Sequence, residues 1–110
     1  MTAITTHVLD LTSGLPAAGL AVRLEREHDG HWHAHGASTT DADGRVRDGF
    51  APLEATGRYR LTFATGDWFR ERGVASFHPE VVIVFTIREL RHHHVPLLLS
   101  PFGFSTYRGS

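Results

Sequence analysis

Apolar and polar residues alternate with a period of two along most of this chain, in short runs separated by turn formers. That period matches the pleat of a strand, whose successive side chains point to opposite faces, and not the 3.6-residue turn of a helix. From Leu20 to His28, Leu20, Val22 and Leu24 oppose Ala21, Arg23 and Glu25. From Gly57 to Thr65, Tyr59, Leu61 and Phe63 oppose Arg58, Arg60 and Thr62. Ile4 to Leu11 and Trp32 to Thr39 read as further strands, and a short one is expected near Phe50 to Glu54. Gly14 to Gly19, Asp29-Gly30 and the loop around Asp43-Gly44 supply turns. Only Gly66 to Gly73, "GDWFRERG", offers a helix, of two turns at most. Seven or eight short strands at this spacing predict an all-β domain over residues 1–110, an antiparallel sandwich with one short helix.

Two runs break the alternation. Val81 to Ile87 ("VVIVFTI") and Val95 to Leu99 ("VPLLL") are apolar on both faces. A sheet face that meets water normally reads polar, so both faces of these strands call for cover. Loops of the same chain could supply it; in a chain of 110 residues a second subunit is the simpler cover. After a turn at Pro101-Phe102-Gly103, a last short strand is expected from Phe104 to Tyr107.

Composition narrows the function classes. A formal net charge of −1 provides no basic field for nucleic acid. There is no cysteine, so disulfides and thiol catalysis are excluded. "MTAITTHVLD" has neither a basic n-region nor an apolar h-region, and no apolar run approaches the ~20 residues of a membrane span. A cytoplasmic protein with no membrane and no nucleic-acid partner is the expectation. Nine histidines are the unusual count, and histidine titrates nearest working pH.

Several of these polar groups stand where catalysis could use them. His7 lies mid-strand, on the parity of Leu9 and Leu11; His94 shares parity with His92, Pro96 and Leu98. Arg45 follows the Asp43-Gly44 turn, and Tyr107, Arg108 and Ser110 close the chain. His31, His33 and His35 alternate on one strand and could in principle ligate zinc, as could His92 to His94. Zinc ligands usually come from separate elements with supporting second partners, so a histidine-rich exposed strand is the simpler account and no metal site is assigned.

Taken together, "HVLD" (His7 to Asp10), "DGR" (Asp43 to Arg45), "FHPEVVIVF" (Phe77 to Phe85) and "HVPLLLSPFGFSTYRGS" (His94 to Ser110) resemble the transthyretin-like 5-hydroxyisourate hydrolases nearly end to end. The terminal "YRGS" is the most specific of these stretches. Departures are mild: His93, Phe102 and Phe104 stand where the family often has tyrosine. The resemblance implies a transthyretin-like (prealbumin-like) sandwich in which the first strand and the last two share a sheet. His7, His94 and Tyr107 would then face one side. It also implies a homotetramer with sites at the dimer–dimer interface, a small-molecule substrate, 5-hydroxyisourate, and no cofactor. His7, Arg45, His94 and Ser110 would be catalytic, and His7, Arg45, Tyr107 and Arg108 would bind the substrate. A histidine would deprotonate water, with His7 and His94 both open to that role. The alternative is a carrier. Transthyretin shares the sandwich and the "LLSP" turn but lacks the counterparts of His7, Arg45, His94 and "YRGS".

Overall fold

The period-two runs fold as strands in a computed structural model, which describes residues 3–110. In chain order the elements are β1 (Ile4–Asp10), β2 (Leu15–Pro16), β3 (Ala21–His28), β4 (His31–Thr39), β5 (Arg45–Val46), β6 (Gly57–Phe63), α1 (Thr65–Glu71), β7 (Val81–Ile87), β8 (His93–Ser100) and β9 (Gly103–Thr106). One sheet runs β2-β1-β8-β9, with β5 also pairing to β1; the other runs β4-β3-β6-β7. The sandwich is antiparallel except in the middle of the first sheet, where β1 and β8 pair parallel from Ile4↔His93 to Asp10↔Leu99.

The alternating apolar residues meet between the sheets. Ile4, Val8, Leu97 and Leu99 from one layer face Leu24, Tyr59, Leu61 and Phe63 from the other, all essentially without solvent contact. Each such side chain contributes about 1.5–3 kcal/mol by leaving water. The β3–β4 hairpin closes through Asp29 and Gly30, both at positive φ (52° and 76°), the geometry of a tight primed turn. Helix α1 buries Trp68 and Phe69, and the Trp68 indole donates to the Ala18 carbonyl at 2.8 Å.

One expectation changes. Residues Phe50 to Glu54 form no strand: the segment is a loop that inserts Phe50 and Leu53 into the core. Pro52, which lacks an N–H, sits at its middle and weakens any ladder there. The two-residue strand in this region is β5, and it carries Arg45. Of the two covers considered for the doubly apolar β7, loops of its own chain do not supply one. Val82 and Val84 remain 42% and 52% exposed on its outer face, while Val81, Ile83 and Ile87 fill the core. On β8 the outer face is better covered, with Pro96 buried and Leu98 half-buried. Among the described residues, no helix is long and apolar enough to cross a membrane.

Candidate active site

The site grows from the alternation of β1. Ile4, Thr6, Val8 and Asp10 are buried, leaving Thr5, His7 and Leu9 half-buried on the opposite face of the strand. The Thr6 hydroxyl donates to the Val95 carbonyl at 2.6 Å, tying the back of the site to β8. The parallel register sets Thr5 beside His94 and His7 beside Pro96. On the other side of β1, antiparallel β5 sets Arg45 beside His7. His7 is thus flanked by the arginine strand, and His94 lies one strand away and about 7 Å further along.

A tightly hydrogen-bonded turn delivers Arg45. Asp41 accepts the backbone N–H groups of Asp43 (2.9 Å) and Arg45 (3.0 Å) on one carboxylate oxygen. Its backbone pairs with Arg45 as well. Gly44, at φ 73°, comes so close to the Val8 carbonyl that a Cβ would stand 2.5 Å from that oxygen. Only glycine lets the turn lie this flat on β1. Arg47 pairs with Asp41 and Asp43, at 3.6 and 3.3 Å. The Arg45 guanidinium meets no carboxylate among the described residues and is left for another partner.

The C-terminal tail closes the pocket. Gly109 donates its N–H to the His94 carbonyl at 2.8 Å and forms an isolated bridge to that residue. A Cβ on Gly109 would stand 2.6 Å from His94 Cδ2, so the tail lies directly on the imidazole. Thr5, Arg45, His92, His94 and Ser110 all line a cavity of about 270 Å³ on this face.

Tyr107 and Arg108 do not join this cavity within one chain. They line a separate, more apolar one of about 330 Å³, with Val84, Phe85 and Val95. The reason lies in β8. Continuing the β8–β9 register puts Tyr107 opposite Pro96 and Gly109 opposite His94. Pro96 has no N–H to donate, so the ladder stops at Thr106 and resumes only at Gly109. Parity alone, read from the sequence, does not bring Tyr107 to His94.

The electrostatics suit acid–base work. Burial and then the nearby Arg45 cation lower the pKa of His7, with the Asp43 backbone and the Asp41 and Asp43 carboxylates opposing. Burial, then Arg45, His92 and His7, lower that of His94. Both imidazoles are therefore held neutral, able to accept a proton, near pH 7.

Two histidines of β4 make other contacts. The His33 Nε2 faces the His28 carbonyl at 3.3 Å, and the His35 Nε2 faces the Pro52 carbonyl at 3.0 Å. Among the described residues, no group of three or more His, Cys, Asp or Glu side chains could hold a metal ion.

Read from the sequence, Thr5, Asp41 and Gly109 had no role of their own, and His92 was placed on the His94 face without being assigned to the site. Parity held a signal for Thr5 and His92: Thr5 shares a face with His7, and His92 with His94. For Asp41, the spacing Asp-x-x-Gly-Arg was the signal, since an Asx side chain often caps the turn that follows it.

Comparison with known proteins sets this site in context. A family model described as HIUase/Transthyretin matches residues 4–109. A 5-hydroxyisourate hydrolase of Caulobacter vibrioides is 47% identical over 115 residues, covering all of both chains. The solved structure of Klebsiella pneumoniae 5-hydroxyisourate hydrolase superposes with a TM-score of 0.88 at 43% identity, again covering both chains fully. Sea bream transthyretin in complex with thyroxine has the same fold, with a TM-score of 0.89. Its identity is only 29%, over 96% of this chain and 93% of its own.

Proposed function

The chain belongs to the HIUase/Transthyretin family, and within it we infer that this protein is the hydrolase, not the hormone carrier. It hydrolyses 5-hydroxyisourate to 2-oxo-4-hydroxy-4-carboxy-5-ureidoimidazoline, a step of urate degradation. The observation that carries this reading is one sheet face holding two neutral histidines beside a guanidinium without a carboxylate partner. Carriage of a small aromatic ligand without catalysis does not call for a proton-accepting histidine pair. The enzyme relatives are also nearer in sequence than the thyroxine-binding structure.

The proposed chemistry uses this chain's own groups. One of His7 and His94 takes a proton from water as the oxygen attacks a ring carbonyl carbon. The carbonyl π electrons move to oxygen, and the fork of Arg45 stabilises the resulting oxyanion. When the oxyanion collapses, the C–N bond breaks, and the departing nitrogen takes a proton from the histidine pair. Ser110 supports this step from the tail that it shares with Gly109. Tyr107 and Arg108 hold the substrate where two copies of the chain meet, an arrangement consistent with their place beside β7. A homotetramer would cover Val82 and Val84, whose exposure supports that assembly; a cytoplasmic location accords with the cysteine-free composition.

The test is incubation with freshly generated 5-hydroxyisourate, following the loss of its ultraviolet absorbance against the spontaneous background. Decay no faster than background would overturn the function. Light scattering that gave a monomer mass at micromolar concentration would overturn the assembly.

A further inference from the structure

The hydroxyl of Thr5 lies between two imidazoles. It is 2.8 Å from the His92 Nε2 and 2.8 Å from the His94 Nδ1. A hydroxyl has one proton to give, so the three groups form a directed chain of bonds. Either the His94 Nδ1–H donates to Thr5 and Thr5 donates to His92, or both bonds run the other way. The remaining arrangement, Thr5 accepting from both rings, leaves the His94 tautomer as in the first but turns the threonine proton away from both imidazoles. The direction decides what the second nitrogen of His94, which has no hydrogen-bond partner among the described residues, presents to the pocket. In the first arrangement Nε2 carries a lone pair; in the second it carries a proton.

The surroundings select the first. Arg45 lines the same cavity, and a guanidinium offers only donors and positive charge. An Nε2 lone pair facing that field is favoured over an N–H. We propose that Thr5, with His92 as the terminal acceptor, is a positioning residue that locks His94 in the Nδ1–H tautomer and so makes the His94 Nε2 the general base. The inference rests on the hydrolase reading for its consequence, but not for its geometry.

The same bond also orients the ring. Thr5 holds one side of His94 while Gly109 packs against Cδ2 on another, leaving Nε2 as the free edge. When Nε2 takes a proton, the Nδ1–H bond to Thr5 persists and strengthens, because its donor is now cationic. The charged and titratable groups around this chain of bonds are His7 on β1, Arg45 on β5, Arg47 just beyond it, and His92 itself.

The test is the ring-nitrogen NMR of His94, read together with turnover of 5-hydroxyisourate. In the unaltered protein the two-bond proton–nitrogen couplings should report the Nδ1–H tautomer. Thr5→Val keeps the shape without the hydroxyl. It should give a tautomer mixture and a kcat about 10–100-fold lower with KM little changed, the scale of losing an orienting partner. Thr5→Ser should restore both the tautomer and the rate. His92→Leu changes an exposed side chain; it removes the terminal acceptor while leaving the Thr5 hydroxyl in place, and takes away the His92 charge that also acts on His94. It should also mix the tautomers, which keeps the inference testable if Thr5→Val fails to fold. A His94 that stays in the Nδ1–H tautomer in the folded valine and leucine variants would overturn the inference, as would an Nε2–H tautomer in the unaltered protein. Unaltered protein with that tautomer but no ring-opening activity would instead overturn the hydrolase reading alone.

Discussion

Replacing Gly109 with alanine adds one methyl group to an exposed tail, yet it should disable the site. The new Cβ would stand 2.6 Å from His94 Cδ2 and 3.2 Å from both Cβ and Cγ of the same side chain. Carbon atoms rest at about 3.5–4.0 Å, so the tail or the imidazole must move by roughly 1 Å. If the tail moves, the 2.8 Å bond from Gly109 N–H to the His94 carbonyl is lost and Ser110 leaves the pocket with it. If the ring moves, the Thr5–Nδ1 bond breaks. A displacement of about 1 Å at a reacting group costs on the order of 10²-fold. Stability should hardly change, by about 0.5 kcal/mol or less, because the tail contributes little to the core. Backbone strain does not enter, since Gly109 is not among the glycines at positive φ. The assay is the ultraviolet ring-opening rate, with circular dichroism and a thermal melt as the fold control. A folded Gly109→Ala protein with kcat/KM within about twofold of the unaltered protein would refute the idea that the tail sets the position of His94.

Other perturbations separate the remaining parts. Arg45→Lys keeps a positive charge but loses the bidentate fork, and should lose most ring-opening activity while the melt stays unchanged; near-normal turnover would remove Arg45 from the mechanism. Lowered histidine pKa values mean that the folded protein binds fewer protons than the unfolded chain. Stability from His7 and His94 is therefore present above about pH 6.5 and lost as pH falls through their folded values. The urea midpoint should drop on acidification, and the acid limb of kcat/KM should lie below pH 6.5; a limb above it would contradict the neutral-histidine site. Deleting Tyr107 to Ser110 removes mostly exposed residues, so the melt should fall only modestly while ring opening collapses. Full activity in that truncated protein would mean that the site is built without its tail.

Much of the fold was open to reading in the residues alone, because a period of two leaves little choice of element. Leu20, Val22 and Leu24, or Tyr59, Leu61 and Phe63, could face a common core only as strands, and they do. His7, Arg45 and His94 also stood out in the sequence, as polar groups with matching parity or a turn behind them. Which of them become neighbours was decided elsewhere. His7 and His94 lie far apart in the chain and come onto one sheet face because β1 and β8 pair in parallel, a long-range register that no local pattern encodes. The clearest limit is Tyr107. Its alternation points to the His94 face, but the missing N–H of Pro96 on the neighbouring strand interrupts the ladder, and Tyr107 lines another cavity. Thr5 shows the converse. It is an unremarked threonine in sequence, and only the approach of two distant histidines to one hydroxyl makes it part of a site. Local alternation is written into each strand by its own side chains, whereas hydrogen-bond partners and cavities depend on which strands come to lie side by side.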